Sequence, residues 1–181
     1  MTDRRNSRKS SPARIIALVG IMAASVECGK LALMFLPNIE VVTVLLGLYG
    51  YVFGIYGVLA SVVFVCIEPL IFGFGSWVIS YFIYWPTVAI VFMVLGRLRI
   101  KNRFLIAGIA TLLTVWFGVL SSLIDIGLFS GFFENFFERF AIYYLRGIPF
   151  YLAEIISNAI LFLLLFPLLQ KKLYMIKKIF I

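Results

Sequence analysis

Long apolar runs fill this chain of 181 residues and leave few positions for anything else. Hydrophobic residues make up 64% of the chain and charged residues 13%, whereas soluble domains carry about 25% charged residues. A membrane-spanning helix takes about 20 apolar residues, so about five to seven such helices would use nearly the whole sequence. We therefore predict one all-α integral membrane protein domain, without room for a separate catalytic or nucleic-acid-binding domain.

Turn signals and charges divide the apolar sequence into six predicted helices. The runs cover about 15–36, 41–53, 56–72, 78–95, 104–129 and 149–169, and only Gly54 and Gly57 mark the division between the second and the third. The domain layout that follows is a basic N-terminal tail over 1–14, a six-helix membrane domain over 15–169, and a basic C-terminal tail over 170–181.

The cations are grouped in a way that fixes the number of spans. Thirteen of the 16 Lys and Arg residues lie before the first run, between the fourth and fifth runs, or after the sixth. With six spans all three clusters fall on one side of the membrane, whereas five spans would separate them. Since cytoplasmic loops carry the excess of Lys and Arg, we predict six transmembrane helices with both termini cytoplasmic. The net charge of +8 is then a topology signal and not a nucleic-acid footprint. A cleaved signal peptide is disfavoured, because no convincing small-x-small site precedes Glu27.

The composition also argues against several kinds of catalytic site. The chain has no His, and its two Cys residues lie inside apolar runs. A zinc site, a His-based triad and a disulfide framework are therefore disfavoured. We predict no catalytic residues, no metal and no cofactor.

Polar residues inside a membrane are costly, and here they share one location. Glu27 and Lys30 lie three apart on one helix face, which indicates either an internal ion pair or a ligand contact. On the six-span topology, the outer half and the outer loops contain Glu27, Lys30, Asn38, Glu40, Glu68, Glu154 and Asn158. An ion or proton relay would need polar groups at several depths, so this distribution favours a pocket open to the outside.

Aromatic and small residues add two further patterns. Trp77, Tyr81 and either Tyr84 or Trp85 form one helical stripe, typical of an interfacial belt or of a stacking wall. The predicted loop over 130–146 carries five phenylalanines and fits either a lid or an interfacial segment. On the first helix, Gly20 and Ala24, together with Ala17, form a small-residue face that lets another helix approach closely. The chain has no P-loop, so active transport would require a partner.

Several segments together resemble the S components of energy-coupling-factor (ECF) transporters. They are ALVGIMAASVECGKLALMFLPNIEVVTVL at 17–45, IEPLIFGFGSW at 67–77, Trp85-Pro86, and RGIPFYLAEIISNAILFLLLFPLL at 146–169. The resemblance covers about 15–169 and is closest to the group that includes cobalamin-specific S components.

This resemblance implies a six-helix subunit of a bacterial cell membrane that captures a vitamin from outside. The implied substrate is cobalamin or a related corrinoid; folate, pantothenate, pyridoxine and hydroxymethylpyrimidine remain alternatives. The implied partners are a transmembrane coupling subunit and two cytoplasmic ATPases. The family's AxxxA docking motif corresponds to Gly20 and Ala24, near Ala17. The expected substrate-binding residues are Lys30, Asn38, Glu40, Glu68, Gly73, Trp77, Tyr81, Trp85, Arg146, Glu154 and Asn158. The competing interpretation from another class is a small structural or assembly membrane protein, and a solitary secondary transporter or channel comes third.

Overall fold

The computed structural model describes residues 11–180, which form six α-helices and no strand. The helices are α1 (Pro12–Leu33), α2 (Val42–Phe53), α3 (Ile55–Phe72), α4 (Ser76–Arg97), α5 (Arg103–Phe129) and α6 (Phe136–Phe180). All except α2 are long and apolar enough to cross a membrane. The prediction of an all-α, multi-pass membrane protein with six helices is thus confirmed, while six transmembrane spans and cytoplasmic termini stay predictions. Most of the predicted N-terminal tail, with Arg4, Arg5, Arg8 and Lys9, lies outside the described residues.

Local sequence signals account for most helix boundaries. Ser11 caps α1, where Pro12 occupies the first turn and its missing N–H costs nothing. The side-chain oxygen of Asn102 accepts hydrogen bonds from the backbone N–H groups of Phe104 and Leu105, at 3.0 and 3.3 Å, and so caps α5. Gly54 separates α2 from α3 with a φ of 65°, a conformation that glycine adopts without strain. The predicted turn at this position is therefore confirmed.

The short helix α2 lies in the middle of the bundle. Its 12 residues are about 18 Å long, less than the roughly 30 Å of a bilayer's hydrocarbon core. Every residue of α2 except Leu45 is buried, and the backbone of Gly50 lies against the backbone of Ala89 on α4. Helices α1, α3, α4 and α6 therefore pack around α2, and its apolar character on all sides reflects burial in protein.

Contacts between the ends of the helices define two ends of the bundle. At one, which we call the cavity end, Asn158 of α6 hydrogen-bonds Glu40 ahead of α2. At the other, which we call the basic end, Lys177 donates to the carbonyl of Val52 at 2.6 Å. Also at the basic end, Tyr51 donates to the carbonyl of Ile100 at 2.7 Å. Successive helices therefore run in opposite directions between the two ends.

Helix α6 differs most from the sequence-based expectation. It begins at Phe136, inside the predicted loop, and continues to Phe180 through the predicted C-terminal tail. No glycine or proline occurs between Phe136 and Leu145, and the turn before the helix uses positive φ angles at Gly131 and Asn135. Its 45 residues measure about 68 Å, which exceeds the roughly 45 Å of a bilayer with its headgroups. The helix therefore extends beyond the membrane on at least one side.

Candidate ligand-binding cavity

A cavity of about 190 Å³ opens at the cavity end, where all six helices contribute residues or adjoin it. The chain between α1 and α2, residues 34–41, enters the bundle and brings Asn38 and Glu40 to its wall. Such irregular backbone is tolerated at membrane depth where it lines a cavity. The lining residues are Lys30, Asn38, Glu40, Val42, Phe64, Tyr81, Trp85, Phe117 and Glu154.

A hydrogen-bond network centred on Glu40 joins three parts of the chain. One carboxylate oxygen of Glu40 accepts from the backbone N–H of Thr43 at 2.9 Å, and the other accepts from the Thr43 hydroxyl. The amide nitrogen of Asn158 donates to Glu40 at 3.1 Å and to the hydroxyl of Thr114 at 3.2 Å. Asn158 thus ties the loop to α5 and α6.

An ion pair joins α1 to α3 on the opposite wall. The ammonium of Lys30 contacts the carboxylate of Glu68, whose side chain is fully buried. The same ammonium lies 4.2 Å from the ring centre of Phe72, within cation–π range. Glu27 is buried one turn before Lys30, and neither of its carboxylate oxygens has a hydrogen-bond partner among the described residues. The ion pair predicted within α1 is therefore replaced by one between helices.

Aromatic rings form the third wall of the cavity. Tyr81 lies between Trp77 and Trp85, with ring centres 5.0 and 5.5 Å away. Phe117 of α5 adjoins both Tyr81 and Trp85, at 6.3 and 6.2 Å. Trp85 is buried, and its indole N–H has no partner in the described structure although buried indoles usually find one. The stripe on α4 is therefore a wall of the cavity at Tyr81 and Trp85.

The cavity does not continue toward the basic end. Below it, the rings of Phe92, Phe162 and Phe166 lie with centres 5.1 to 5.7 Å apart, and Tyr51 meets Phe166 edge-on at 5.5 Å. Within residues 11–180, the buried charged side chains are Glu27, Glu68 and Glu154, all in the cavity half. The described basic half of the bundle interior is therefore free of buried charge, and its buried hydroxyls at Tyr51 and Ser61 donate to backbone carbonyls.

The structure brings together most of the predicted site residues. Six of them line the cavity, while Glu68 pairs with Lys30, Asn158 donates to Glu40, and Trp77 meets Tyr81 edge-on. Gly73 caps the end of α3 with a φ of 81°, a backbone requirement that accounts for glycine there. Arg146 is exposed on α6 and lines separate hollows beside Tyr143 and Tyr151. Its predicted contact with substrate stays a prediction that this arrangement does not support.

Sequence reasoning missed Phe117, Phe64 and Val42 in the cavity wall, and Thr114 behind it. These residues lie on apolar helices and carry no charge that would mark them. Phe117 is one of 19 phenylalanines, so its position in the chain gives no signal without the packing of α5 against α4.

The segment over 130–146 lies beside the cavity and contributes none of its lining residues. The guanidinium of Arg139 donates to the carbonyls of Ser130 and Gly131 at 2.7 and 3.1 Å, which holds the α5–α6 turn. Tyr143 donates to the carboxylate of Asp125 at 2.7 Å. The phenylalanines at the turn, Phe132, Phe133 and Phe137, are exposed. The turn is thus an ordered apolar projection in this conformation.

The small-residue face of α1 lies on the outside of the bundle. Ala17, Gly20 and Ala24 are all exposed, and a Cβ atom at Gly20 would meet nothing within 4 Å. No described helix covers this face, so it remains open to lipid or to another protein.

The side chains around the cavity are suited to binding a polar, partly aromatic molecule, since they combine carboxylates, an amide and aromatic rings on a mostly apolar wall.

Comparison of the chain with protein-family models, with curated proteins and with solved structures finds no match. The multi-pass membrane class therefore rests on the helices themselves.

Proposed function

We propose that this protein is the substrate-binding S component of an ECF-type vitamin importer, without an ATPase of its own. It captures its ligand at the cavity end, which faces the outside of a bacterial cell. It then docks on a transmembrane coupling subunit that two cytoplasmic ATPases drive. The observation that carries the proposal is the one-sided cavity, in which a polar binding site lies above an apolar, aromatic-packed interior.

A one-sided cavity distinguishes capture from conduction. Channels and secondary transporters place polar or charged groups along the substrate path through the membrane. Here the described basic half is sealed by Phe92, Phe162 and Phe166 and contains no buried charge. A ligand that enters therefore needs a movement of the whole subunit to reach the other side, as the resemblance implies.

The distribution of charge supports six spans with both termini cytoplasmic. Within residues 11–180 every acidic side chain belongs to the cavity half, and the basic end carries Arg14, Arg97, Arg99, Lys101, Arg103, Lys171, Lys172, Lys177 and Lys178. The positive-inside rule puts that end in the cytoplasm. In a variant with Cys28 and Cys66 replaced by Ser, a cysteine at Glu134 should react with an impermeant thiol reagent on whole cells. A cysteine at Lys101 should react only after lysis, and the reverse result would overturn the orientation.

The polar groups of the cavity favour a ligand with hydrogen-bond donors or positive charge over an anion. Lys30 is already held by Glu68, and the remaining ionisable groups on the wall, apart from Tyr81, are Glu40 and Glu154. Among the substrates that the resemblance implies, this argues against folate and pantothenate, which carry carboxylates. A volume of about 190 Å³ suits a single ring system such as a pyrimidine or pyridine. A corrinoid would require the cavity to widen, so cobalamin stays a prediction.

A ligand panel tests the binding function directly. The purified protein would be screened by thermal shift and then calorimetry against cobalamin, pyridoxine, hydroxymethylpyrimidine, folate and pantothenate. Ligand at 100 times its Kd should raise the free energy of unfolding by about 2.7 kcal/mol. Tyr81→Ala should abolish the shift, whereas Tyr143→Ala, which removes a tyrosine outside the cavity, should leave it intact. No saturable shift with any of these ligands in the folded protein would contradict vitamin capture.

The exposed face of α1 supports docking on a coupling subunit, and two matched glycines test it. Gly20 on α1 and Gly108 on α5 are both exposed, and a Cβ atom at either position would meet nothing within 4 Å. Gly20→Trp or Ala24→Trp should abolish uptake and co-purification of the coupling subunit while ligand binding remains. Gly108→Trp should leave all three unchanged. A small structural or assembly subunit would also use such a face, but it predicts no saturable ligand for the cavity.

A further inference from the structure

A second cavity, of about 420 Å³, lies at the basic end, outside the site proposed above. It is enclosed by the α2–α3 turn, the end of α4 and the last turns of α6. Among its lining residues are Tyr51, Val52, Arg97, Arg99 and Lys177. Three cations therefore converge on one hollow, and no acidic side chain of the described chain lines it.

Hydrogen bonds hold the wall of this cavity in place. Lys177 donates to the carbonyl of Val52 at 2.6 Å, which fixes its ammonium beside the α2–α3 turn. Tyr51, which is buried, donates to the carbonyl of Ile100 at 2.7 Å and anchors the chain just after Arg99. The hollow is thus built from bonded elements and not only from long surface side chains.

Arg99 occupies a backbone position that favours glycine. The helix α4 ends with the N–H of Ile100 bonded to the carbonyl of Leu95 at 3.1 Å, and Arg99 between them has a φ of 55°. This left-handed position at a helix C-terminus is usually glycine, because a Cβ atom makes it strained. A strained residue that the surrounding structure maintains is a reason to look for a function of its side chain.

Cations are expected at a cytoplasmic end, but the convergence of three of them on one hollow is not expected from the positive-inside rule. The positive-inside rule accounts for Lys and Arg in this region wherever they point. It gives no reason for three of them to share one concavity, one of them at a strained position. Lys171, Lys172 and Lys178 belong to the same end and line no part of this hollow.

We propose that the basic-end cavity binds a phosphate group, carried by an anionic phospholipid headgroup or free in solution. Arg97 and Arg99 supply planar guanidinium groups suited to bidentate contacts with phosphate oxygens. Lys177 supplies a third positive charge beside the opposite wall. Basic hollows between helices on the cytoplasmic side are known to suit lipid headgroups. The proposal does not depend on the ligand or function of the cavity end.

Lipid retention by the purified full chain tests the proposal. The protein in neutral detergent would be titrated with phosphatidylglycerol or phosphatidylcholine, and bound lipid counted by native mass spectrometry. We expect one phosphatidylglycerol per chain at low excess and no comparable retention of phosphatidylcholine. Competition by excess inorganic phosphate, compared with chloride at the same ionic strength, would assign the site to phosphate in general. Failure of that competition would assign it to the lipid. Equal retention of both lipids would overturn the proposal.

A matched pair of triple variants distinguishes a specific phosphate-binding site from general electrostatic attraction to the basic end. In R97Q/R99Q/K177Q the affinity for phosphatidylglycerol should fall by about 100-fold, because each of the three basic residues contributes roughly fivefold near a membrane surface. K171Q/K172Q/K178Q removes the same charge from the same end and should change the affinity less than tenfold. Equal losses in the two variants would overturn the proposal.

The single variant Arg99→Gly distinguishes a loss of lipid binding from a loss of fold. Glycine relieves the strain at this position, so this variant should unfold at the wild-type temperature or above it while binding less phosphatidylglycerol. Unchanged binding in Arg99→Gly would remove Arg99 from the site and with it the reason for the strained backbone.

Discussion

The cavity end and the basic end of the bundle differ in where each keeps its charges. At the cavity end, Glu27, Glu68 and Glu154 are buried inside the helices, and Lys30 is held between two walls of the site. At the basic end, the cations lie around the outside of the core, and among residues 11–180 the one side-chain hydrogen bond from such a cation to another helix joins Lys177 to a backbone carbonyl. Charge buried in a membrane is costly, so its confinement to one end marks the functional half of the molecule.

The same residue type therefore has different roles at the two ends of the bundle. A lysine at the basic end contributes to the orientation of the chain in the membrane, as the positive-inside rule describes. Such a lysine can be replaced unless it lines the basic-end cavity. Lysine at position 30 neutralises a fully buried carboxylate, and its removal leaves that charge unpaired. Substitutions at the two ends, and in the helix α2 that supports both, test this difference.

The largest effect is expected at Gly50, where α2 crosses α4. A Cβ atom at this position would overlap the backbone carbonyl of Ala89, and no side-chain movement relieves such a clash. Gly50→Val should therefore destabilise the fold by about 3 kcal/mol or more, measured by thermal unfolding in detergent. Gly20→Val, on the open face of α1, should change stability by less than about 0.5 kcal/mol. Similar unfolding temperatures for the two variants would contradict the central position of α2.

The next effect concerns the ion pair of the cavity end. Lys30→Met leaves the buried carboxylate of Glu68 without its partner and should cost about 3 kcal/mol. The double variant K30M/E68M removes both charges and should recover most of that loss, since an apolar pair of similar volume is often as stable. Unfolding in detergent at fixed pH measures the stability of the single and of the double variant. A double variant as unstable as the single one would show that the pair is not coupled.

A smaller effect is expected where Asn158 links the loop at Glu40 to α5. Asn158→Leu removes the donor to Glu40 and to Thr114, and the loss of these two hydrogen bonds should cost about 2 kcal/mol. Ser121 on α5 is half-buried and donates to a carbonyl of its own helix at 3.2 Å, so Ser121→Ala should cost less than about 0.5 kcal/mol. Equal losses in these two variants would mean that the network does not hold the loop.

The sequence predicted the scaffold well, because its signals are local. Proline and glycine mark the helix ends, and the turn at Gly54 followed from two glycines and the grouping of the cations. Glu40, Glu154 and Tyr81 were also identified, because polar and aromatic residues stand out in an apolar chain. The sequence did not predict the start of α6 at Phe136, because a stretch with five phenylalanines and with charges of both signs has no clear helical period.

The parts that the sequence did not predict depend on contacts between helices. Lys30 is three residues from Glu27, yet its partner is Glu68, which only the packing of α1 against α3 brings near. Phe117 lines the cavity because α5 lies against α4, and Arg146 lies away from it because α6 begins early. The hollow at the basic end combines residues from four helices and the segments that follow two of them. No spacing within one helix indicates it.

The smallest effect is expected at Lys177, the basic-end counterpart of Lys30. Lys177→Met removes one charge-assisted bond to the carbonyl of Val52 at a half-buried site, which should cost about 1 kcal/mol. Lys178→Met, one residue along and exposed, should cost almost nothing, so the pair isolates the bond from the loss of charge. Because no buried carboxylate is left behind, the loss at Lys177 should be well below the loss at Lys30. Comparable destabilisation at the two lysines, measured under the same conditions, would mean that the basic end also depends on buried charge, and that the division between the two halves is wrong.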